Sequence, residues 1–290
     1  MTHTIDTRQP AQVAVACRPG SGAPVRARAE RMAERLGVDL LDSASDAPEN
    51  LSFVIVVDVG GVELAPRPSV LTRLGLHRRT AGPRLAFGEV LGAWQRRALA
   101  SGSELLARAL GRPPGTGAVV VDATAGLGDD GLLMAALGWR VLWIERHPVL
   151  AAMLALALET ARAAVLAPGQ ASILARIELM HGDGKNLLPA VPPPAAIYLD
   201  PMYPQGARRG EANKRLRLLR VLVGDDTDAE TLLHVALTVG AARVVVKRPQ
   251  RAGRCVGEPP VRTVAGRAVR FDVYQARRPK GLGSMESVHG

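Results

Sequence analysis

Asp200-Pro-Met-Tyr-Pro204 places a carboxylate, a proline-fixed backbone and an aromatic ring within five residues, directly after the apolar run Ala195-Ala-Ile-Tyr-Leu199. These features suit one chemistry. An exocyclic amine on an aromatic base has its lone pair delocalised into the ring and is a poor nucleophile. Asp200 and a backbone carbonyl beside Pro201 can accept the amine's two N–H bonds and hold its nitrogen toward an electrophile, with proline fixing the local φ. Tyr203 can stack on the base, a contact of about 1–3 kcal/mol in single-stranded nucleic-acid complexes. An Asp-Pro turn followed by a packing aromatic would give the same letters, so the electrophile has to be sought elsewhere in the chain.

Val119-Val-Val-Asp-Ala-Thr-Ala-Gly-Leu-Gly-Asp-Asp-Gly131 reads as a buried strand, a tight glycine turn and a helix start. Gly126 and Gly128 free the backbone for a ligand to lie close. The spacing of Gly126, Gly128 and Gly131, with Glu145 at the end of the next apolar strand, also fits a dinucleotide fingerprint. Charge separates the two cofactors. A pyrophosphate seeks bare amides at a helix N-terminus, and Asp129 and Asp130 would repel it there. S-adenosylmethionine (SAM) carries an ammonium and a sulfonium and no phosphate, and needs an acid for its ribose hydroxyls. The same two acids could instead only complement the helix dipole.

Around these stretches the chain alternates strand and helix. Val141–Ile144, Ile177–Met180, Ala195–Leu199 and Arg243–Pro249 read as further strands, and the alternation implies a parallel doubly wound α/β sheet. Its carboxyl edge would gather Glu145-Arg146, His181-Gly-Asp183-Gly184, Asp200 and Lys247-Arg248. Lys247 and Arg248 suit phosphate binding. His147 and His181 read as structural or solvated, and Trp139 and Trp143 as packing. A long helix is expected from Pro148 to Leu166, and a hairpin over Val261–Val264 and Val269–Tyr274. Residues 1–90 read as a small α+β N-terminal domain, with a helix over Val25–Leu36 and a strand at Phe53–Val57. Residues 91–117 read as a helical connector, 118–276 as the catalytic domain and 277–290 as a loose tail.

Hydrophobic residues make up 47% of the 290 and aromatics 3%, so aliphatic side chains must build the interior. Cys17 and Cys255 fit neither a metal spacing nor a disulfide framework, which suits a reducing, cytoplasmic setting. No leader-like segment and no apolar run long enough for a bilayer is evident, so neither membrane nor metal is expected. The net charge of +10 favours a polyanionic partner, although an arginine-rich, Ala/Gly/Pro-rich composition would also follow from coding bias. Arginines between residues 67 and 97, and between 208 and 220, are candidates for gripping phosphates.

Taken together, Asp122–Asp130, Glu145-Arg-His-Pro148, Tyr198–Pro204, Leu219–Asp225, Val244–Pro249 and Arg270–Tyr274 resemble the RsmJ family, over roughly residues 50–276. The resemblance implies a class I (Rossmann-like) methyltransferase sheet. It also implies SAM as cofactor and N2 of a guanine in 16S ribosomal RNA of the small subunit as target. Asp129-Asp130, Glu145-Arg146, Asp183-Gly184 and Asp200 would then line the cofactor pocket, and Asp200 and Tyr203 would position the base. The residues alone leave open an adenine-N6 amino-methyltransferase, a non-catalytic RNA-binding assembly protein and, less readily, a nicotinamide oxidoreductase.

Overall fold

The computed structural model describes residues 12–100, 104–202, 211–250, 252 and 259–275. The first sheet contains β1 (Val13–Cys17), β2 (Leu40–Leu41), β3 (Phe53–Val57), β4 (Val62–Pro66) and β5 (Arg84–Leu85), in the order β2-β1-β3-β4-β5. Phe53-Val-Ile-Val-Val57 is apolar and buried at every position because β1 and β4 flank it and helix α1 (Ala23–Leu36) packs on it. The hairpin from β3 to β4 is closed by Asp58, whose side chain accepts the N–H groups of Gly60 and Gly61 at 2.9 Å each. Helix α2 (Pro68–Arg73) follows β4. Helices α3 (Phe87–Leu99) and α4 (Leu105–Leu110) then lead to the second sheet.

That sheet begins with β6 (Val119–Asp122), α5 (Asp129–Ala136), β7 (Arg140–Glu145), α6 (Pro148–Ala163), α7 (Pro168–Ala175) and β8 (Ile177–His181). It continues with α8 (Gly184–Leu187), β9 (Ala196–Leu199), α9 (Glu211–Val223), α10 (Ala229–Thr238), β10 (Val244–Pro249), β11 (Arg262–Ala265) and β12 (Val269–Tyr274). The strand order is β11-β12-β10-β9-β6-β7-β8, parallel from β8 to β10 and closed at one edge by the antiparallel hairpin β11–β12. This is the expected α/β architecture. The helix expected to reach Leu166 stops at Ala163, and Pro168 opens a separate helix.

One apolar cluster runs from Val15, Phe53 and Ile55 of the first sheet through α6 to Trp143 and Tyr198 of the second. On α6, Leu150, Met153, Leu154 and Leu158 are buried, each contributing about 1.5–3 kcal/mol by leaving water. Arg28 donates to Thr160 Oγ1 (3.1 Å) and Arg31 pairs with Glu159 (2.6 Å), so α1 is also pinned to α6 through polar groups. Among the described residues no helix is long and apolar enough to cross a membrane.

Candidate active site

The strand order reverses at β6, with β7 and β8 on one side and β9 and β10 on the other. A crevice opens beyond the carboxyl ends of strands at such a point. The loop between β6 and α5 straddles it: Ala123 N–H donates to the Tyr198 carbonyl on β9 (3.0 Å), and Ala125 N–H to the Ile144 carbonyl on β7 (3.1 Å). The loop ends at Gly128, whose φ is +82°, and α5 then lies directly on the buried indole of Trp143. A Cβ at Gly128 would meet that ring at 2.9 Å, and one at Gly131 would lie 1.7 Å from Nε1. These glycines serve helix–strand packing, which brings the acidic first turn of α5 to the edge of the crevice.

Glu145, at the end of β7, is 6% exposed. Its carboxylate accepts the Gly126 N–H (2.8 Å) and the His147 N–H (2.7 Å). Burial pushes its pKa up to about 7, against the lowering effect of those two bonds. Around it lies a cavity lined by Thr124, Gly126, Glu145, Arg146, His147, Asp183, Gly184 and Asp200, and roofed by Leu219 and Val223 of α9, by Asp226 and Asp228 just before α10, and by Leu232 of α10. Five of these lining residues are carboxylic acids and one is an arginine. His147 adds no charge near neutrality, because burial pushes its pKa down to about 4.

A second group of charges sits beside this cavity. Lys247 on β10 places Nζ 2.7 Å from Asp130 and 2.9 Å from Asp200. Asp130 also accepts the buried Tyr198 hydroxyl at 2.6 Å. The Asp200 N–H donates to Thr124 Oγ1 at 2.6 Å, which ties the end of β9 to the glycine loop. Burial disfavours the Lys247 ammonium, yet Asp200 and Asp130 more than offset that and hold its pKa above the ordinary value. Burial and the neighbouring Asp130 push Asp200 upward while Lys247 draws it down. Asp122, 1% exposed, is pushed well up by burial. Lys247 therefore holds two carboxylates together that would otherwise repel each other.

On the far side of the cavity Arg146 bonds Asp228 at 3.0 Å and also Asp226, and Lys185 bonds Asp228. Asp183 caps α8 by accepting the Lys185 N–H at 2.9 Å. The segment before α10 is thus fastened to the ends of β7 and β8 by charge.

The donor set is acid-rich and offers no cluster of cations for a pyrophosphate, which fits a cationic ligand. Residues 73–276 match a family of SAM-dependent methyltransferases. Ribosomal RNA small subunit methyltransferase J of Halorhodospira halophila is 46% identical over 259 residues, covering 86% of this chain and 90% of that protein. The chain belongs to the ribosomal RNA small subunit methyltransferase J family. The Pseudomonas aeruginosa (strain LESB58) member is 39% identical, covering 85% of this chain and 89% of its own. A solved SAM-dependent methyltransferase from Neisseria gonorrhoeae aligns with a TM-score of 0.64 at 27% identity, over 95% of this chain and 99% of that one. This methyltransferase J family member is accordingly an enzyme that uses SAM.

Of the residues marked out in the sequence, the structure brings Gly126, Glu145, Arg146, Asp183, Gly184 and Asp200 to one cavity. Gly128 faces Trp143 instead. Asp129 pairs with Arg215 of α9 at 3.2 Å, and Asp130 lies with Lys247. Lys247, marked out for phosphate, has two internal carboxylate partners, and Arg248 is 6% exposed, so neither presents an open cationic surface. Tyr203, Arg208, Arg209, Cys255 and the 277–290 tail lie outside the described residues. Sequence reasoning missed Thr124, Tyr198, Asp226 and Asp228. The run of three acids after Gly224, Asp225, Asp226 and Asp228, just ahead of an apolar helix, was the available signal for the last pair.

Proposed function

We propose that this enzyme transfers a methyl group from SAM to N2 of a guanine in 16S ribosomal RNA of the small subunit. The observation that carries the reading is the Lys247–Asp200 ion pair at the carboxyl end of β9, with Asp200 39% exposed beside the cavity. Family membership supplies the substrate class.

When bound, SAM supplies a methyl group made electrophilic by the adjoining sulfonium. Gly126, Glu145, Asp183 and Asp226 would hold it, since acids lining a cavity stabilise a cation. Asp200, paired with Lys247 at 2.9 Å, accepts N–H bonds from the base and fixes the amine's direction. A carboxylate is acceptor-only, so it matches the adjacent N1–H and N2–H of guanine. Adenine would turn its N1 lone pair toward the same oxygens. The proton on the amine leaves after attack and requires no strong base, so His147, neutral at pH 7, has no proton to take. Tyr203 is assigned to stacking on the base. That base must be unpaired or turned out of a helix, because N2 is enclosed in a paired stem.

The test is mass spectrometry of ribosomal RNA from a deletion strain carrying wild-type or Asp200→Asn protein. Wild type restores N2-methylguanosine and Asp200→Asn does not. A deletion strain with unchanged N2-methylguanosine content would end the reading.

A further inference from the structure

Residues 64–88 contain five arginines and no acid, which by itself is only a charge run. The structure divides the five. Arg67 donates to the Ala44 and Ala47 carbonyls (3.3 and 2.7 Å), and Arg84 pairs with Asp58 (3.0 Å) and Glu89 (2.9 Å). These two hold the fold together. Arg73, Arg78 and Arg79 are exposed, and their guanidiniums have no hydrogen-bond or ion-pair partner among the described residues.

The segment that carries them is built, and it stands beside the crevice. Buried Leu74 anchors it. Gly75 N–H donates to Thr72 (2.9 Å), Leu76 N–H to Leu71 (2.8 Å), Thr80 N–H to the His77 carbonyl (2.9 Å) and Arg79 N–H to His77 Nδ1 (3.1 Å). Arg217 of α9 donates to the Leu74 carbonyl. The same helix pairs with Asp129 through Arg215 and roofs the cavity with Leu219 and Val223.

We infer that Arg73, Arg78 and Arg79 form a phosphate-binding surface for the RNA substrate, placed by α9 next to the methyl-transfer crevice. The inference rests on the RNA methyltransferase reading and adds where the polyanion docks. Three arginines within seven residues, on a backbone already fixed by its own hydrogen bonds, meet a phosphate backbone without the cost of ordering the segment. Their contribution is independent of base identity and falls with salt.

The experiment measures binding of a small-subunit ribosomal RNA fragment over a salt series without SAM, and then steady-state methylation. It compares wild type with Arg73→Ala/Arg78→Ala/Arg79→Ala. A charge-matched control carries Arg26→Ala/Arg35→Ala/Arg140→Ala, exposed positions on α1 and at the amino end of β7. Each phosphate contact contributes roughly 0.7–0.9 to the slope of log K against log salt, so the loop variant should lose about 2 from that slope and at least about tenfold in affinity near 0.1 M salt. Its KM for RNA rises while kcat at saturating RNA and SAM affinity hold. The proposal is overturned if the loop variant weakens no more than the control, or if the arginines serve anionic vesicles and leave RNA binding unchanged. Wild type that binds RNA through this loop but forms no N2-methylguanosine would sink the reaction and leave the surface standing. Methylation with unchanged KM in the loop variant does the reverse.

Discussion

Replacing Lys247 with Met removes the cation held by both Asp130 and Asp200, while roughly keeping side-chain length. At 2.9 Å and an effective dielectric of about 20, the Lys247–Asp200 attraction is about 6 kcal/mol. Water reaches 25% of Lys247 and 39% of Asp200, so screening leaves roughly 2–3 kcal/mol. That is about two pK units, added to a carboxyl already pushed upward by burial and by Asp130. Without Lys247 the Asp200 pKa rises further, so more of the carboxyl is protonated at any given pH, and a protonated acid no longer accepts both N–H bonds of the base. A two-unit rise costs Lys247→Met up to roughly a hundredfold in kcat at the acid end of the profile and progressively less as pH rises, so its kcat profile should move about two units toward alkaline pH. Its KM for SAM should move less than about threefold, because Lys247 does not line the cavity. The unpaired acids should also lower the melting temperature by about 4–8 °C for about 2 kcal/mol. Adding Asp130→Asn relieves that repulsion and restores part of the stability. Lys247→Arg keeps the charge and retains most of the activity. Stopped-time methylation assays from pH 6 to 9, with thermal unfolding of each variant, test this. A Lys247→Met enzyme with wild-type kcat and an unshifted pH profile would refute the reasoning.

Glu145 makes a stability prediction with a definite sign. Its folded pKa lies near 7, above the ordinary 4.5, so its protonated form is favoured by folding. The contribution is intact below about pH 4.5 and is lost as pH rises to 7, in all about 3 kcal/mol. Urea unfolding of cofactor-free protein should show the wild type losing this between pH 5 and 8 while Glu145→Gln does not; parallel curves count against the burial argument. At Gly131 an added methyl has no room beside Trp143. Gly131→Ala should cost about 1–3 kcal/mol or more, from overpacking, and a melting temperature within 1 °C of wild type would show that the indole can give way.

The strands of the second sheet were legible because β-branched runs such as Val119–Val121 and Val244–Val246, buried at every position but Val119, need no alternation. The two-residue strands β2 and β5 were not, since so short a segment carries no period and exists only by pairing with β1 and β4. The acids of the crevice were legible by sign alone: Glu145, Asp183 and Asp200 each follow an apolar strand. What a sequence hides is where a charge spends itself. Lys247 looked like a phosphate grip until it met Asp130, 117 residues away, and Asp200. Arg67 and Arg84 looked like Arg73, Arg78 and Arg79 until the fold consumed them. A strand end in this sheet meets neighbours from remote segments, so side-chain charge is inherited from the sequence while its partner is assigned by strand order. Lys247 faces inward because β10 lies beside β9, Val246 opposite Leu199. The register that sets one carboxylate at the crevice therefore also sets the cation that draws its pKa down against burial.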